Sequence, residues 1–458
     1  MVGEVLPLRM PAASSDDNNL SKMIADALHD LSMKERETVY EDIHGVNKLF
    51  EETPEIIEQK LQEMEQEIAR IAVKDKVAYQ KALHESPEFV WNKKFRLSFL
   101  RATMFDTAQA AEKIVLHFKH KFETFGTQKL GKTITLDDLT DLARNKVGIG
   151  GFQILPTRAS QGRPVLVNFP SCYDFRGDYE TVFVAHTQAF WYILSSIIDD
   201  EESQIRGGIF VTYAVGTNEK PDPIRKRIVW ACSVIARALP IRLSGFHYCH
   251  DDPKMGLFLP VVARAAGSFV RVRIRTHLGS HSECQYKLMS YGIPNTNFPM
   301  SLNGKLNTTN HKRWLERRIK KERFLAFNPY AEGTDLPLSK DVLLGRGVPY
   351  VNHPGNKHLH ELVGSSYDEY NKSIFESKTR MAEEIVVLIQ NYGGRFLKRD
   401  EESDMWVEVS NLEARNKVSH SFRRKREYDV KQVKFSSHST TNDEGGNKRL
   451  RMFYDKTT

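Results

Sequence analysis

Between Ile149 and Arg275 short runs of β-branched and aromatic residues alternate with longer apolar segments, and this alternation constrains the fold more than any other feature of the chain. Val165-Leu166-Val167-Asn168-Phe169 has no polar residue at every second place, so it reads as a strand covered on both faces. Gly208–Val215, Ser244–Tyr248 and Phe269–Arg275 read as further strands, and Val182–Ile198 and Ile224–Leu239 as helices between them. Strand and helix in turn predict an α/β domain with a largely parallel sheet and helices outside it.

At 458 residues the chain is too long for one ordinary core. Its composition divides it into an acidic region over 1–50, a helical lead-in over 51–130, the helix–sheet domain over 131–306, a basic helical linker over 307–340, a compact C-terminal α+β domain over 341–428 and a polar tail over 429–458. Residues 1–20 and the tail lack any apolar period and read as disordered. Ser21–Leu31 reads as a first helix. Thr53 followed by Pro54 marks the start of a stronger one, along which Ile57, Leu61, Met64, Ile68 and Ile71 recur at three- and four-residue steps. Asp106 reads as the N-cap of a helix through Ala110, Ile114, Val115 and Phe118.

The net charge of +7 conceals an asymmetry. Residues 1–70 hold 16 acidic against 7 basic side chains, about −9, leaving about +16 for the rest. A basic body favours anionic partners such as phospholipid headgroups or nucleic acid, or is an ordinary solvated surface. The four cysteines, Cys172, Cys232, Cys249 and Cys284, are scattered without C-x-x-C spacing, so they read as reduced thiols of a cytoplasmic or nuclear protein, with no metal site. No apolar run reaches a membrane span, and the first 20 residues do not read as a secretory signal.

Four blocks carry a resemblance: Phe99-Leu100-Arg101-Ala102-Thr103-Met104-Phe105-Asp106, Gly162-Arg163-Pro164-Val165-Leu166-Val167, Leu239-Pro240-Ile241-Arg242-Leu243-Ser244-Gly245, and Tyr291-Gly292-Ile293-Pro294 with Phe298-Pro299. In this order and spacing they resemble the CRAL-TRIO lipid-binding domain. The resemblance implies a closed apolar pocket for one lipid, walled by aliphatic and aromatic side chains. Phe210, Tyr213, Phe246 and Tyr248 are the candidate walls. Phe258, Leu259 and Val262 fall where the family carries a mobile gate helix, which Gly256 and Pro260 would weaken. Any one of these side chains, taken singly, reads more simply as ordinary core. The chain also departs from the family. It has Tyr213-Ala214-Val215-Gly216 in place of D-x-x-G, and Cys249-His250-Asp251-Asp252-Pro253 in place of N-x-P, so the usual headgroup residues do not carry over.

Two basic segments bear on partners. In Phe269–His277 the alternation puts Val270, Val272 and Ile274 on one face of a strand and Arg271, Arg273 and Arg275 on the other, a row able to bind phosphate or to pair with acids such as Glu283 and the Asp251-Asp252 pair. Between Asn307 and Phe327 seven cations interleave with Trp314, Leu315, Ile319 and Phe324, which suits an anionic membrane surface.

Asp341-Val342-Leu343-Leu344-Gly345-Arg346-Gly347, Asn352-His353-Pro354-Gly355-Asn356, Gly393-Gly394-Arg395-Phe396-Leu397-Lys398-Arg399 and Ala414–His420 closely resemble an uncharacterised domain frequent in diatom proteins. Thr379–Gln390 reads as a helix. Arg395–Lys398 and Met405–Val409 read as a hairpin, and Asn411 as the cap of a last helix that packs back through Leu412 and Val418 and runs into Arg423–Arg426. Arg346, Lys398, Arg399, Arg415 and Arg423–Arg426 would then share one anion-binding face. Gly345 and Gly347 suit an anion-cradling loop or any sharp turn, and Arg423–Arg426 suits a nuclear import signal. His353 with Asp341 is a conceivable pair, although His-Pro-Gly-Asn is more simply a turn.

No nucleophile–base set and no cofactor motif is present. The sequence therefore predicts a non-enzymatic lipid-binding or lipid-transfer protein, cytoplasmic and transiently bound to membranes, whose C-terminal module meets a protein or nucleic acid. The alternative is a nucleic-acid-associated regulator whose pocket senses a ligand.

Overall fold

The computed structural model describes residues 20–46, 50–217, 223–254, 259–327, 337–401 and 405–438. The chain is mixed α/β and forms two compact units, Met1–Tyr330 and Ala331–Thr458. Among the described residues no helix is long and apolar enough to cross a membrane.

The first unit is built on a five-stranded sheet: β1 (Phe152–Ile154), β2 (Val165–Asn168), β3 (Gly208–Ala214), β4 (Leu243–His250) and β5 (Ile274–Leu278). Strand order follows chain order. β1 pairs antiparallel with β2, and the remaining pairs are parallel. A parallel sheet filled in chain order sends successive crossovers the same way, so their helices gather on one face. Tyr179–Ile197, Pro223–Ala238 and Leu259–Ala265 accordingly pack side by side. The other face is covered by the helix His281–Met289 and the loop after it. Val165, Leu166 and Val167 are wholly buried, as expected of a strand covered on both sides.

The lead-in is helical for local reasons. The Thr53 hydroxyl accepts from the Ile56 amide at 3.3 Å with Pro54 in the first turn, and the Asp106 carboxylate accepts from the Gln109 amide at 3.0 Å. Met64 and Ile68 of the helix Pro54–Arg70 bury against Phe99, Ala110, Ile114 and Phe118. Arg101 fixes this bundle to the segment after Tyr179–Ile197. It forks onto Glu52 at 3.0 and 2.6 Å and reaches Glu201 at 2.5 Å and Gln204 at 2.9 Å.

Two expectations fail here. Phe269–Arg275 is not a strand: Gly267–Arg271 is a short helix and β5 begins at Ile274. The alternation of Val270, Val272 and Ile274 arises from three different surroundings, namely the core around Tyr179–Ile197, the N-terminal helices and the sheet. Nor is the basic segment a free linker, because the helix Thr309–Phe327 belongs to the first unit. His311 Nε2 bonds the Val147 carbonyl at 2.7 Å, and Trp314 and Leu315 pack on the core. Arg318 pairs with Asp199 and, at 3.0 Å, with Glu322, while Lys321 meets Asp199 at 3.0 Å. Asp199, the acid shared by Arg318 and Lys321, lies over a hundred residues upstream. Lys312, Arg313, Arg317, Lys320 and Arg323 face solvent.

The second unit holds β6 (Val342–Leu344), β7 (Phe396–Arg399) and β8 (Trp406–Glu408), with β6 parallel and β8 antiparallel to β7. The helices Pro354–Ser365, Phe375–Asn391 and Asn411–His438 share its core. Ser410, not Asn411, caps the last helix: its hydroxyl accepts from the Glu413 amide at 3.3 Å. That helix packs through Ala414, Val418 and Phe422, and Leu412 is exposed, because 414, 418 and 422 form one stripe at four-residue steps that excludes 412.

Candidate ligand pocket

Side chains alternate across a strand, so β3 sends Phe210 and Thr212 to one face and Val211 and Tyr213 to the other. β4 sends Phe246 and Tyr248 to the first face and His247 and Cys249 to the second. On the first face lies a cavity of about 80 Å³ between the sheet and the helices Tyr179–Ile197 and Pro223–Ala238. Phe210, Phe246, Phe190 and Leu194 wall it, and Val262, Ala266 and Val270 close it from the two short helices before β5. The Phe210 and Phe246 rings stack at 5.3 Å. A second cavity of about 80 Å³ shares Asn168, His186, Thr212, Phe246 and Val262 with the first and adds Tyr173, Phe175, Arg225 and Tyr248. Tyr173, Phe175 and Arg225 in turn border an open groove of about 540 Å³ that includes Ser171, Cys172, Asp174 and Arg176. The second cavity shares lining residues with each of the other two, and the surface groove is the most polar of the three.

The polar groups concentrate toward the groove. Asn168 Oδ1, the Tyr173 hydroxyl and His186 Nδ1 are buried and have no hydrogen-bond partner among the described residues. Burial, with Lys146 and Arg225 adding like charge, pushes His186 down to about 3, so its ring is neutral near pH 7. Burial also holds the Tyr173 phenol and the Cys232 thiol above their ordinary values, leaving both protonated. The Arg225 guanidinium lies 4.5 Å from the centre of the Phe175 ring, and Lys146 Nζ lies 5.3 Å from it. This end of the pocket offers neutral hydrogen-bonding groups inside and cations at the rim. Among the described residues no three His, Cys, Asp or Glu side chains are placed to hold a metal.

Of the wall residues expected from sequence, the structure brings together Phe210, Phe246, Tyr248 and Val262. Tyr213 is on the wrong face by parity. Its ring packs on Phe169 and Phe298, and its hydroxyl lies 3.2 Å from His281 Nδ1. Leu259 is buried in the core but does not line either cavity, and Phe258 lies outside the described residues. The arginine row does not exist. Arg271 Nε donates to the Ala263 carbonyl at 3.0 Å, Arg275 donates to the Val272 and Ile274 carbonyls, and Arg273 is buried on Asp42, not on Glu283 or Asp251-Asp252. Sequence reasoning missed Asn168, Tyr173, His186 and Arg225. Only Asn168, a polar end to an otherwise apolar strand, and His186, set within an apolar helix, left a signal.

In the second unit the motif residues hold the backbone together. Asp341 accepts from the Leu338 amide at 2.8 Å and from Arg395 through its amide at 2.9 Å and its guanidinium at 2.8 Å. The Asn356 side chain accepts from the Leu343 amide at 2.6 Å and donates to the Leu343 carbonyl at 3.0 Å. A Cβ at Gly355 would collide with the Asp341 carbonyl, and one at Gly345 with the Tyr350 ring, so these glycines allow close packing. Residues 341–424 match the family described as domain of unknown function (DUF6824). No CRAL-TRIO match accompanies it, and no curated protein matches the chain. In the DUF6824 domain Arg346, Lys398 and Arg399 are exposed, Arg415 Nη1 meets Glu383 at 3.1 Å, and Lys398 Nζ is 4.0 Å from Glu413. His353 does lie beside Asp341: burial lowers its pKa from the ordinary value, and the charge and backbone of Asp341 oppose that shift, while the Asp341 carboxylate is paired with Arg395. His353 precedes the helix Pro354–Ser365, which is the structure of the His-Pro-Gly-Asn segment.

Proposed function

We propose that the first unit is a non-enzymatic, CRAL-TRIO-like binding domain for a lipid or other amphiphile. The observation that supports this most is the series of adjoining spaces, apolar inside and polar at the surface. An aliphatic chain suits the cavity between Phe210, Phe246 and Val262, and a hydrogen-bonding or anionic head suits the end bordered by Asn168, His186, Tyr173 and Arg225. The internal space is small for a long chain, so a bound lipid requires the short helices carrying Val262 and Val270 to move outward. Native mass spectrometry of the purified full chain is the test. A co-purifying lipid, lost in Val262→Asp while the circular dichroism spectrum is retained, is expected. A lipid-free wild type that takes up none from vesicles overturns the reading.

The exposed Lys398, Arg399, Arg423, Arg424 and Arg426 of the second unit favour a second role, contact with a polyanion such as nucleic acid. Retention on heparin that falls steeply with salt, and falls further in the double variant Lys398→Glu, Arg399→Glu, is expected. Retention indifferent to salt leaves this unit as a protein-binding module.

A further inference from the structure

Three of the parallel strands are entered through a buried arginine. Arg163 stands two residues before β2, Arg242 one before β4 and Arg273 one before β5, and all three converge on Asp42. Arg273 Nε and Nη2 reach Asp42 Oδ2 at 3.0 and 2.6 Å, Arg242 Nη1 lies 3.5 Å from Oδ1, and Arg163 Nη1 donates to the Asp42 carbonyl oxygen. Asp42 is 0% exposed and the arginines 1 to 3%. One carboxylate thus meets two guanidiniums, while the third, Arg163, reaches the carbonyl of the same residue and, at 3.1 Å, the Ser244 hydroxyl. Arg163 Nε and Nη2 and Arg242 Nε are buried without a hydrogen-bond partner. Buried cations in excess of their counter-charge favour a further anion. Burial pushes the Arg163 guanidinium down to about 10, with Asp42 opposing the shift and Arg242 adding to it.

Asp42 comes from a pair of helices at the edge of the unit. The helices Leu20–His29 and Met33–His44 are tied to each other by Arg36, whose guanidinium donates to the carbonyls of Leu28, His29 and Leu31 at 2.9 to 3.0 Å. Their apolar seam on the body is small: Ala27, Val39 and Ile43 cluster with Val272, and Leu20, Met23 and Ile24 are only partly buried. The first of these helices lies against Leu259–Ala265 and Gly267–Arg271, the two helices that close the cavity through Val262, Ala266 and Val270.

We propose that Arg163, Arg242 and Arg273 form an oxyanion site, fitted to a phosphate group, which Asp42 fills from within. The N-terminal helix pair is then a strap over the pocket wall, released when phosphate replaces Asp42. The link to ligand exchange rests on the lipid-binding reading above, whereas the anion site does not.

The test uses the full chain, with inorganic phosphate as probe and hydrogen exchange as readout. In the wild type, phosphate should speed exchange over 20–46 and 259–271. Asp42→Asn should show that faster exchange without phosphate and should bind phosphate about tenfold more tightly, because the internal competitor is gone. Arg163→Gln in the Asp42→Asn background should remove the gain. If Asp42→Asn does not fold, Arg36→Ala loosens the strap without stripping a buried charge and should tighten phosphate in the same direction. Vesicles containing phosphatidate, set against free phosphate, separate a lipid headgroup from a soluble phosphate as the source. Equal phosphate affinity in wild type and variants, or exchange over 20–46 that ignores phosphate, overturns the proposal and leaves a structural ion cluster. Absence of lipid retention with the phosphate effects intact sinks the pocket reading alone.

Discussion

The two faces of the five-stranded sheet are made by the same strands and end differently. On one, Phe210, Thr212, Phe246 and Tyr248 leave a cavity; on the other, Val211, Tyr213 and Cys249 are packed with Cys284, Leu288, Ile293 and Met300, and His247 with His277 and Tyr291. The strands are not what differs, since both faces carry aromatic rings and aliphatic side chains. The difference lies in what is laid over them. The cover presents Cys232, Ser233, Ala236 and Ala266, small side chains that leave volume beneath it. A short helix and an irregular loop settle into contact on the other side, where His247 Nδ1 and His277 Nε2 come within 2.9 Å and His247 fills the space beside Gly245. A pocket here is a property of the cover.

The largest effect should come from acid, which loads both faces. His186 on the cavity face and His247 and His277 on the filled face are held neutral by burial, His186 down to about 3 and His277 to about 4. An unfolded chain takes up these protons near pH 6.5 and the folded chain does not. Their contribution is therefore fully present above that pH and is lost as pH falls from 6.5 toward 4, by about 1.4 kcal/mol per pH unit for each histidine. Denaturation midpoints between pH 7 and 5 should show the slope, and His247→Gln with His277→Gln should flatten it more than His186→Gln. Equal flattening would break the asymmetry.

Next in size is truncation. Phe169→Ala, on the filled face, should cost about 3–5 kcal/mol, and Phe210→Ala, whose ring already borders empty space, about 2 kcal/mol, both read by chemical denaturation. The reverse order would mean that the cavity is filled in solution. The smallest effect is the sharpest, because its sign differs. Ala236→Val, into the cavity, should be neutral or stabilising by up to about 1 kcal/mol while reducing lipid retention, whereas Cys249→Leu should destabilise by about 1–3 kcal/mol. Two losses of equal size would remove the distinction.

What the sequence made legible is what neighbours along the chain decide. The caps at Thr53 and Asp106, the buried run Val165–Val167 and the strand–helix alternation each rest on residues within one turn or one strand. The errors are of other kinds. Tyr213 reads as a wall residue with Phe210, although three residues along a strand reverse the face. Arg273 reads as one of an exposed row because its partner, Asp42, is 231 residues away. The helix Thr309–Phe327 read as a linker because charge counted along the chain does not reveal Asp199 across from Arg318 and Lys321. The cavity lining was half visible, since aromatic residues announce themselves and the small residues that create space do not.

The Asn356 amide has a consequence for how the molecule keeps to itself. Val342 donates to the Arg395 carbonyl, so the amide and carbonyl of the next residue, Leu343, turn away from β7 toward the open edge of the small sheet. That edge is where a strand from another chain would add, and Asn356 occupies both of its groups. One side chain thus stands in for a missing strand and stops the sheet from growing on that side, a guard against aggregation built into the same Asn-His-Pro-Gly-Asn run that shapes the domain.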